Sequence, residues 1–350
     1  MLHLDASAGV ARIVVTGTSG SGRGEYISRA VAEMRSSGEN VEVFDVGSMM
    51  FETADNLGVE IPEGRILNLA PSTLNYLRTT VFEKILREAR DRENVVVSTH
   101  ACFRWKRHLL QAFDFYYLNL LSPDLYVTIV DSIASMKERL DSSQHWRGRL
   151  GLKDLIVWRD EETFLTKSIA DFQRKPFFML PAKQPPETLR RLMQNHSVPK
   201  AYLSYPMTHL GDMAQEFSER LRAFAAELRR RGLLVFDPGE VEDSDLAEGR
   251  TRLEGVAPEE VESVREDIYD QIVARDYQLI DQSDFVVVYY YVPVMSPGVL
   301  SEMTYAFSSA KEVYVVFKGP ESPFFRYYST KIFRDEDELF SFLEGRLSGR

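Results

Sequence analysis

Two acidic residues and one tyrosine in the second half of the 350-residue chain have the types and spacing for acid–base and nucleophilic chemistry. Tyr202 lies in the apolar run KAYLS, Asp276 precedes the run FVVVYY, and Glu302 follows it. One carboxylate of such a pair can face an electron-poor carbon, as nucleophile or electrostatic partner, while the other protonates the leaving group. Each residue alone also fits a structural role, so the hypothesis depends on the three as an ordered set.

The position of Glu302 on its predicted helix favours a role beyond solvation. Val299, Met303, Ala306 and Ala310 form the apolar stripe of the pattern, and Glu302 lies about 60° from Val299 around the helix. A carboxylate at the edge of a buried stripe is unlike an ordinary surface glutamate.

The start of the same helix, Ser296-Pro297-Gly298, offers a hydroxyl, backbone N–H groups and a positive dipole end to an anion. Serine before proline is equally an ordinary helix cap. Ser204, at the end of KAYLS, and Asp237, in FDPGE, are further candidates for substrate binding. Asp237 is a candidate sugar contact, or it caps a turn.

A phosphate-loop pattern, GTSGSGRG, follows the first apolar run. Its glycines and the residues after them predict backbone N–H groups wrapped around a polyphosphate at a helix start, involving Gly17, Gly20, Gly22, Arg23 and Gly24. A working kinase loop has Lys and Ser/Thr where Arg23 and Gly24 stand. The third strand ends in Ser98-Thr99-His100, without the usual acidic residue.

Three interpretations of this first half stay open. It is a kinase that uses Arg23, a fold that binds ATP or another nucleotide without turnover, or a structural or dimerising remnant. His100 and Cys102 fit packing at a strand end better than a nucleophile pair.

Alternating apolar runs and helical patterns must position these residues, and they predict an α/β protein with parallel sheets. The Pro-rich stretch ending near 195–199 divides the chain into domains 1–196 and 197–350. The acidic stretch 239–262 is predicted as a loop, either a mobile cover or a solvated connection. Predicted strands lie at 12–16, 41–45, 95–98, 125–130, 177–180, 200–204, 233–236, 285–290 and 312–317. Predicted helices lie near 23–36, 74–91, 132–141, 160–174, 186–195, 212–231, 259–282, 297–310 and 335–346.

Composition excludes several classes of protein. The chain is 44% hydrophobic and 27% charged, with a formal net charge of −11 that falls entirely on residues 199–350. An acidic half gives no support to nucleic-acid binding. The single cysteine excludes an intramolecular disulfide or a multi-cysteine metal site. Because no 18-residue apolar run or signal-peptide pattern is found, we expect a cytoplasmic protein without membrane partners.

The first half, over about residues 11–194, resembles the adenylate-kinase-like nucleoside monophosphate kinases. The resemblance is carried by the phosphate loop and by LSPDLYVTIVDSIASMKERL with the following Arg147 and Arg149, which is similar to the arginine-bearing lid of those enzymes. It implies a three-layer P-loop kinase-like fold.

The second half, over about residues 199–320, resembles the nucleoside 2-deoxyribosyltransferase superfamily, and most closely its nucleoside 5′-monophosphate N-glycosidases. Tyr202, Arg275-Asp276 and Ser296-x-Gly298-Val299-x-x-Glu302 match the family pattern in order. The resemblance implies a three-layer, flavodoxin/Rossmann-like fold and a homo-oligomer.

Under this resemblance Glu302 is the nucleophile, Asp276 the acid/base and Tyr202 the residue that orients Glu302. Free-nucleoside enzymes of the family carry Asp where Ser296 stands, so Ser296 with Gly298 predicts a nucleoside 5′-monophosphate. The chemistry requires no metal or other cofactor. Hydrolysis and base exchange both stay open, and the alternatives are a nucleotide-sensing regulator without turnover and an active nucleoside or nucleotide kinase.

Overall fold

The computed structural model describes residues 11–106, 108–207, 214–291 and 296–348. These residues form two compact units. The first unit ends at His196 and also includes Asp243–Tyr269, while the second comprises Ser197–Glu242 and the chain from Asp270 onward. The sequence-based division placed all of 197–350 in one domain, and the structure differs in assigning 243–269 to the first unit.

A five-stranded parallel sheet forms the centre of the first unit. Its strands are β1 (Ala11–Thr16), β2 (Val41–Asp45), β3 (Asn94–Ser98), β6 (Leu125–Val130) and β7 (Phe177–Pro181), while β4 (Cys102–Trp105) and β5 (His108–Gln111) pair as a separate antiparallel hairpin. The strand order is β2-β3-β1-β6-β7. The helices before residue 196 are α1 (Arg23–Ser36), α2 (Val46–Asn56), α3 (Pro71–Glu88), α4 (Phe115–Leu121), α5 (Ile133–Ser142), α6 (Leu152–Gln173) and α7 (Glu187–Gln194).

The second unit has its own five-stranded parallel sheet. Its strands are β8 (Lys200–Ser204), β9 (Leu234–Phe236), β10 (Phe285–Tyr290), β11 (Glu312–Phe317) and β12 (Lys331–Phe333), in the order β12-β11-β10-β8-β9. The helices after residue 200 are α8 (Ala214–Arg230), α9 (Ser244–Ala247), α10 (Pro258–Ser263), α11 (Arg265–Asp281), α12 (Pro297–Ser308), α13 (Pro323–Tyr327) and α14 (Glu336–Ser348).

The predicted α/β class with parallel sheets is confirmed in both units. Strands such as FVVVYY are buried along their whole length, as expected for β-branched runs covered on both faces of a parallel sheet. Sheet order in the second unit reverses between β8 and β10, which is where ligands of open α/β sheets bind.

Several elements differ from the sequence-based expectation. Helices α2, α4 and α13, the hairpin β4–β5 and strand β12 were not predicted, and the stretch 239–262 contains α9 and most of α10 rather than a plain loop. The helix predicted over 212–231 begins outside the described residues, which resume at 214.

The aromatic segments 289–291 and 324–328 are candidates from sequence for an oligomer surface or for the core, and their residues fall into two groups. Tyr289 and Tyr290 are 1% and 6% exposed and belong to the core, whereas Phe324 and Tyr327 are 73% and 65% exposed. The homo-oligomer stays a prediction.

Among the described helices, none combines the length and apolar character needed to cross a membrane.

Candidate functional site

Strand β8 places two hydroxyl groups on one face of the second sheet. Its alternate residues Ala201 and Leu203 pack into the apolar core with α8 and α14. Because side chains alternate between the faces of a strand, Tyr202 and Ser204 point to the opposite face. Both are fully buried there. The strand pattern therefore delivers two O–H donors to the same side.

Glu302 receives both of these donors. The Tyr202 hydroxyl donates to Glu302 Oε1 at 2.9 Å, and the Ser204 hydroxyl donates to Oε2. Glu302 lies on α12 and is only 9% exposed. The structure thus brings Tyr202 to the residue it was predicted to orient. Ser204, predicted to bind substrate, instead has its hydroxyl on the Glu302 carboxylate.

Asp276 acts electrostatically on Glu302, because its charge adds to the raised pKa of that carboxyl. It is 5% exposed on α11, and the preceding Arg275 donates to its Oδ1 from Nε at 3.1 Å. A second Arg275 nitrogen donates to the carbonyl of Val241. Arg275 therefore orients the Asp276 carboxylate while bound to the segment that follows β9.

Burial raises the pKa of both carboxyl groups, Asp276 and Glu302, toward neutral pH. Burial, reinforced by the charge of Asp276, raises the pKa of Glu302 to about 8, although the hydroxyls of Ser204 and Tyr202 and the charge of Arg275 oppose the rise. Burial also raises the pKa of Asp276 to about 6, against the opposing charge of Arg275. Two interacting carboxyls titrate as a pair, and their raised pKa values favour one shared proton near neutral pH.

Asp237 follows β9 and is engaged within the chain. The Tyr205 hydroxyl donates to Asp237 Oδ1 at 2.6 Å, and the Gly239 N–H donates to the same oxygen at 3.0 Å. These contacts match the turn-capping alternative for Asp237. Its charge still contributes, after burial and Glu242, to the raised pKa of Asp276.

Ser296 is the N-cap of α12. Its hydroxyl accepts a hydrogen bond from Val299 N–H at 3.4 Å, and its own N–H donates to the Tyr290 hydroxyl at 2.6 Å. Pro297 has no N–H, so the Ser296 hydroxyl and the Gly298 N–H are the first-turn donors that suit an anion. The cap and the anion site predicted from sequence are compatible with one another.

The phosphate loop of the first unit connects β1 to α1, as predicted. Gly20 and Gly22 have φ values of +82° and +79°, a left-handed conformation that favours glycine. A Cβ at Gly20 would lie 2.9 Å from the Met136 carbonyl oxygen. Gly17 ends the strand side of the loop, and Gly24 lies in the first turn of α1 with nothing near its missing Cβ.

Arg23, at the position of the usual lysine, folds back over the loop. Its guanidinium donates to the carbonyls of Gly17, at 2.7 Å, and of Thr99, and lies 3.3 Å from His100 Nε2. Burial lowers the pKa of Arg23, opposed by the charge of Glu162. The Arg23 guanidinium is therefore already hydrogen-bonded to protein carbonyls beside the loop.

Sequence reasoning missed Glu162, which is fully buried under this loop. Its carboxylate accepts backbone N–H groups from Gly17 at 3.0 Å, Ala101 at 2.9 Å and Cys102 at 3.0 Å. It also raises the pKa of the Cys102 thiol, after burial, so that Cys102 is unsuited to be a nucleophile. Glu162 follows Asp160 and Glu161 in a helix, and no local pattern marks it out.

Residues 16–152 match the family model described as AAA domain. The adenylate kinase of Methanocaldococcus jannaschii is 25% identical over 117 residues, which cover 33% of this chain and 60% of that enzyme. The adenylate kinase of Methanococcus vannielii is 27% identical over 161 residues, covering 46% of this chain and 77% of that one. The first unit contains a P-loop kinase-like domain. The chain spans about 60% of the length of the M. jannaschii relative.

Two solved structures are similar at lower identity. Shikimate kinase from Bacteroides thetaiotaomicron has 15% identity and a TM-score of 0.34, covering 53% of this chain and 98% of that one. A 2-deoxyribosyltransferase from Bacillus psychrosaccharolyticus has 15% identity and a TM-score of 0.29, covering 40% of this chain and 90% of that one.

Proposed function

We propose that the second unit cleaves the N-glycosidic bond of a nucleoside 5′-monophosphate. The observation that carries the proposal is the buried Glu302 carboxylate, held on both oxygens by Tyr202 and Ser204 and electrostatically coupled to Asp276. A buried, oriented carboxyl beside a second carboxyl of raised pKa is typical of sites that break bonds at an anomeric carbon.

In the proposed reaction Glu302 attacks C1′ as the bond from C1′ to the base nitrogen breaks. The bonding electron pair stays on that nitrogen, which takes a proton from Asp276. Water then attacks C1′, gives a proton to Asp276 and displaces the Glu302 carboxylate. The products are the free base and the sugar 5-phosphate; if a second base replaces water, the reaction is a base exchange.

The proton count of the carboxyl pair suits this sequence. The reaction needs one proton on the pair, and the pKa values of about 6 and 8 provide one at neutral pH. The first step needs the proton on Asp276, and a proton on Glu302 can reach it by one transfer within the pair. Both arrangements contain the same number of protons, so one transfer interconverts them without changing the pH dependence.

The 5′-phosphate is assigned to the start of α12. The Ser296 hydroxyl, the Gly298 N–H and the positive end of the helix dipole suit an anion, and the position carries no carboxylate that would repel one. No metal ion or other cofactor is part of the proposed reaction.

For the first unit we infer nucleotide binding without efficient phosphoryl transfer. The guanidinium of Arg23 is bound to the Gly17 and Thr99 carbonyls, and Gly24 supplies no hydroxyl for Mg²⁺. Calorimetry with ATP, combined with an assay for Mg²⁺-dependent phosphate transfer, tests this inference. Transfer that Arg23→Ala abolishes would favour an active kinase instead.

Chromatographic measurement of free base tests the glycosidase. A panel of ribo- and deoxyribonucleoside monophosphates and their nucleosides would be incubated with the wild type and with Glu302→Gln. We expect base release from monophosphates by the wild type only. Absence of release from the whole panel, with nucleotide binding intact, would favour a sensor without turnover.

A further inference from the structure

The chain passes from the second unit into the first between Glu242 and Asp243, and it returns between Tyr269 and Asp270. The first crossing point adjoins residues that interact with the candidate active site, and the second lies within α11, the helix that carries Arg275 and Asp276. Val241 accepts a hydrogen bond from Arg275, and Glu242 contributes, with burial, to the raised pKa of Asp276. A displacement of residues 241–243 would therefore act on the carboxyl pair through the chain itself.

Within the first unit Asp243 is firmly anchored. Its carboxylate is fully buried and accepts the N–H of Ile133 at 2.7 Å, at the start of α5, and the Arg159 guanidinium at 2.8 Å, from α6. The side chain of Arg159 is only 7% exposed. A buried pair of this kind is costly to break, because the partner left behind is an uncompensated charge.

The Arg159 guanidinium is also connected to the phosphate loop through Asp131 and Arg139. Arg159 also donates to the carbonyl of Asp131 at 2.9 Å. The Asp131 carboxylate is fully buried and lies 2.7 Å from a nitrogen of Arg139, whose other terminal nitrogen donates to the Gly20 carbonyl at 2.8 Å. Contacts no longer than 2.9 Å thus run from Gly20 of the loop to Asp243.

An anion bound at the phosphate loop would compete for Arg139, which contacts both Asp131 and the Gly20 carbonyl. Its side chain is 37% exposed, and one of its nitrogens lies 3.4 Å from where a Cβ of Gly22 would stand. A guanidinium over a phosphate loop pairs readily with bound phosphate oxygens. Pairing with phosphate would weaken the ion pair of Arg139 with Asp131, whose buried charge would then draw Arg159 away from Asp243.

We propose that the phosphate loop of the first unit is an effector site, at which a nucleoside polyphosphate captures Arg139, loosens the Asp243 anchor and lowers base release at Glu302. This inference rests on the glycosidase proposed above. The effect is inhibition because the present arrangement holds Val241 on Arg275, and the loosened segment withdraws that support from Asp276.

The test measures base release with and without ATP, with ATP binding followed separately by calorimetry. We expect ATP to bind and to lower the kcat/KM of base release at least about fivefold, in the range of ordinary allosteric coupling. In Arg159→Lys and Asp243→Asn, base release without ATP should fall to the level of the inhibited wild type, and ATP should have no further effect. Either variant is sufficient if the other fails to fold.

Glu161→Gln is the matched control, because Glu161 neighbours Arg159 and Glu162 on α6 but pairs with Arg104, away from the path. It should keep both the basal activity and the response to ATP. Base release that ATP leaves unchanged in the wild type, or absence of ATP binding, would overturn the effector site while leaving the glycosidase intact.

Hydrogen exchange provides a readout that does not depend on catalysis. ATP should speed exchange of the amides at 241–243 and in the first turns of α11 in the wild type, and not in Arg159→Lys. If the wild type releases no base, the glycosidase fails and this measurement alone decides the effector site: faster exchange supports it, and unchanged exchange contradicts it.

Discussion

Glu162 in the first unit and Glu302 in the second are both buried carboxylates, and burial raises the pKa of each. The groups that surround them differ in kind. Three backbone N–H groups surround Glu162, so its charge holds a loop and a strand end in place. Glu302 instead has two hydroxyl donors and a second carboxyl acting on it. The backbone N–H groups around Glu162 are fixed in position by the fold. The hydroxyl groups at Glu302 can rotate, and a proton between two carboxyls can move, as charge changes during a reaction.

Burial alone therefore does not mark a reactive acid. A carboxylate satisfied by backbone N–H groups stabilises structure, and removing it leaves donors without partners. A carboxylate that faces a second carboxyl keeps an electrostatically unfavourable arrangement, which is more frequent at reactive sites than elsewhere in proteins.

Replacing each glutamate with glutamine and measuring base release tests whether the two carboxylates differ in role. Glu302→Gln should lower kcat by about 10³-fold or more, because the nucleophile is lost. Glu162→Gln should change kcat by less than about threefold at a temperature well below unfolding, as expected for a residue outside the reaction. A large kinetic loss in Glu162→Gln would erase the distinction.

The same two variants should move the free energy of unfolding in opposite directions. Glu162→Gln places an amide group against backbone donors and should lower stability by about 2–4 kcal/mol. Glu302 has an ordinary pKa of 4.5 that rises to about 8 in the fold, so wild-type stability falls as the pH rises from about 4.5 to 8. Glu302→Gln cannot titrate and should be more stable than wild type, by a margin that grows over that pH range. Urea unfolding at pH 5 and pH 8 measures both effects.

A smaller change sharpens the role of the hydroxyl donors. Tyr202→Phe removes a hydrogen bond that lowers the pKa of Glu302, so the alkaline limb of the pH–rate profile should move above its wild-type position near pH 8. We expect kcat/KM to fall about 10- to 50-fold, consistent with one lost hydrogen bond to a charged group. An unshifted alkaline limb would mean that Tyr202 only packs beside Glu302. Tyr205→Phe is the matched control, because that hydroxyl lies on Asp237.

A change at the proposed phosphate position should affect substrate binding only modestly. Ser296→Ala should raise KM for monophosphates about fivefold, through one lost hydrogen bond and a weaker helix cap, and should leave KM for free nucleosides unchanged. Equal changes for both substrate classes would contradict the assignment of the phosphate to α12.

Much of the fold follows from local patterns in the sequence. The runs of Val, Ile and Phe predicted nine strands of the two central sheets to within a residue or so at either end, because a strand buried on both faces needs such a run. The three-residue strand β12 and the half-exposed hairpin β4–β5 were not predicted, because neither contains a long apolar run.

Part of the candidate site was also predictable from the sequence. Tyr202 and Glu302 were expected together, and they are hydrogen-bonded at 2.9 Å. Ser204 was assigned to the substrate because a strand-end serine carries no signal of its partner. Asp243 and Glu162 could not be found from sequence, since their significance depends on Arg159 and on backbone groups far away along the chain.

The excursion of residues 243–269 into the first unit limits how this protein can be divided or could have been assembled. A fragment starting at residue 197 would contain Asp243 without Arg159, and its buried carboxylate would lack the cation that neutralises it. The two units are therefore poor candidates for modular exchange with relatives, because a recombination point at the obvious linker would separate a buried ion pair. Any ancestral fusion that joined them must have been followed by mutual adaptation across α5, α6 and this segment.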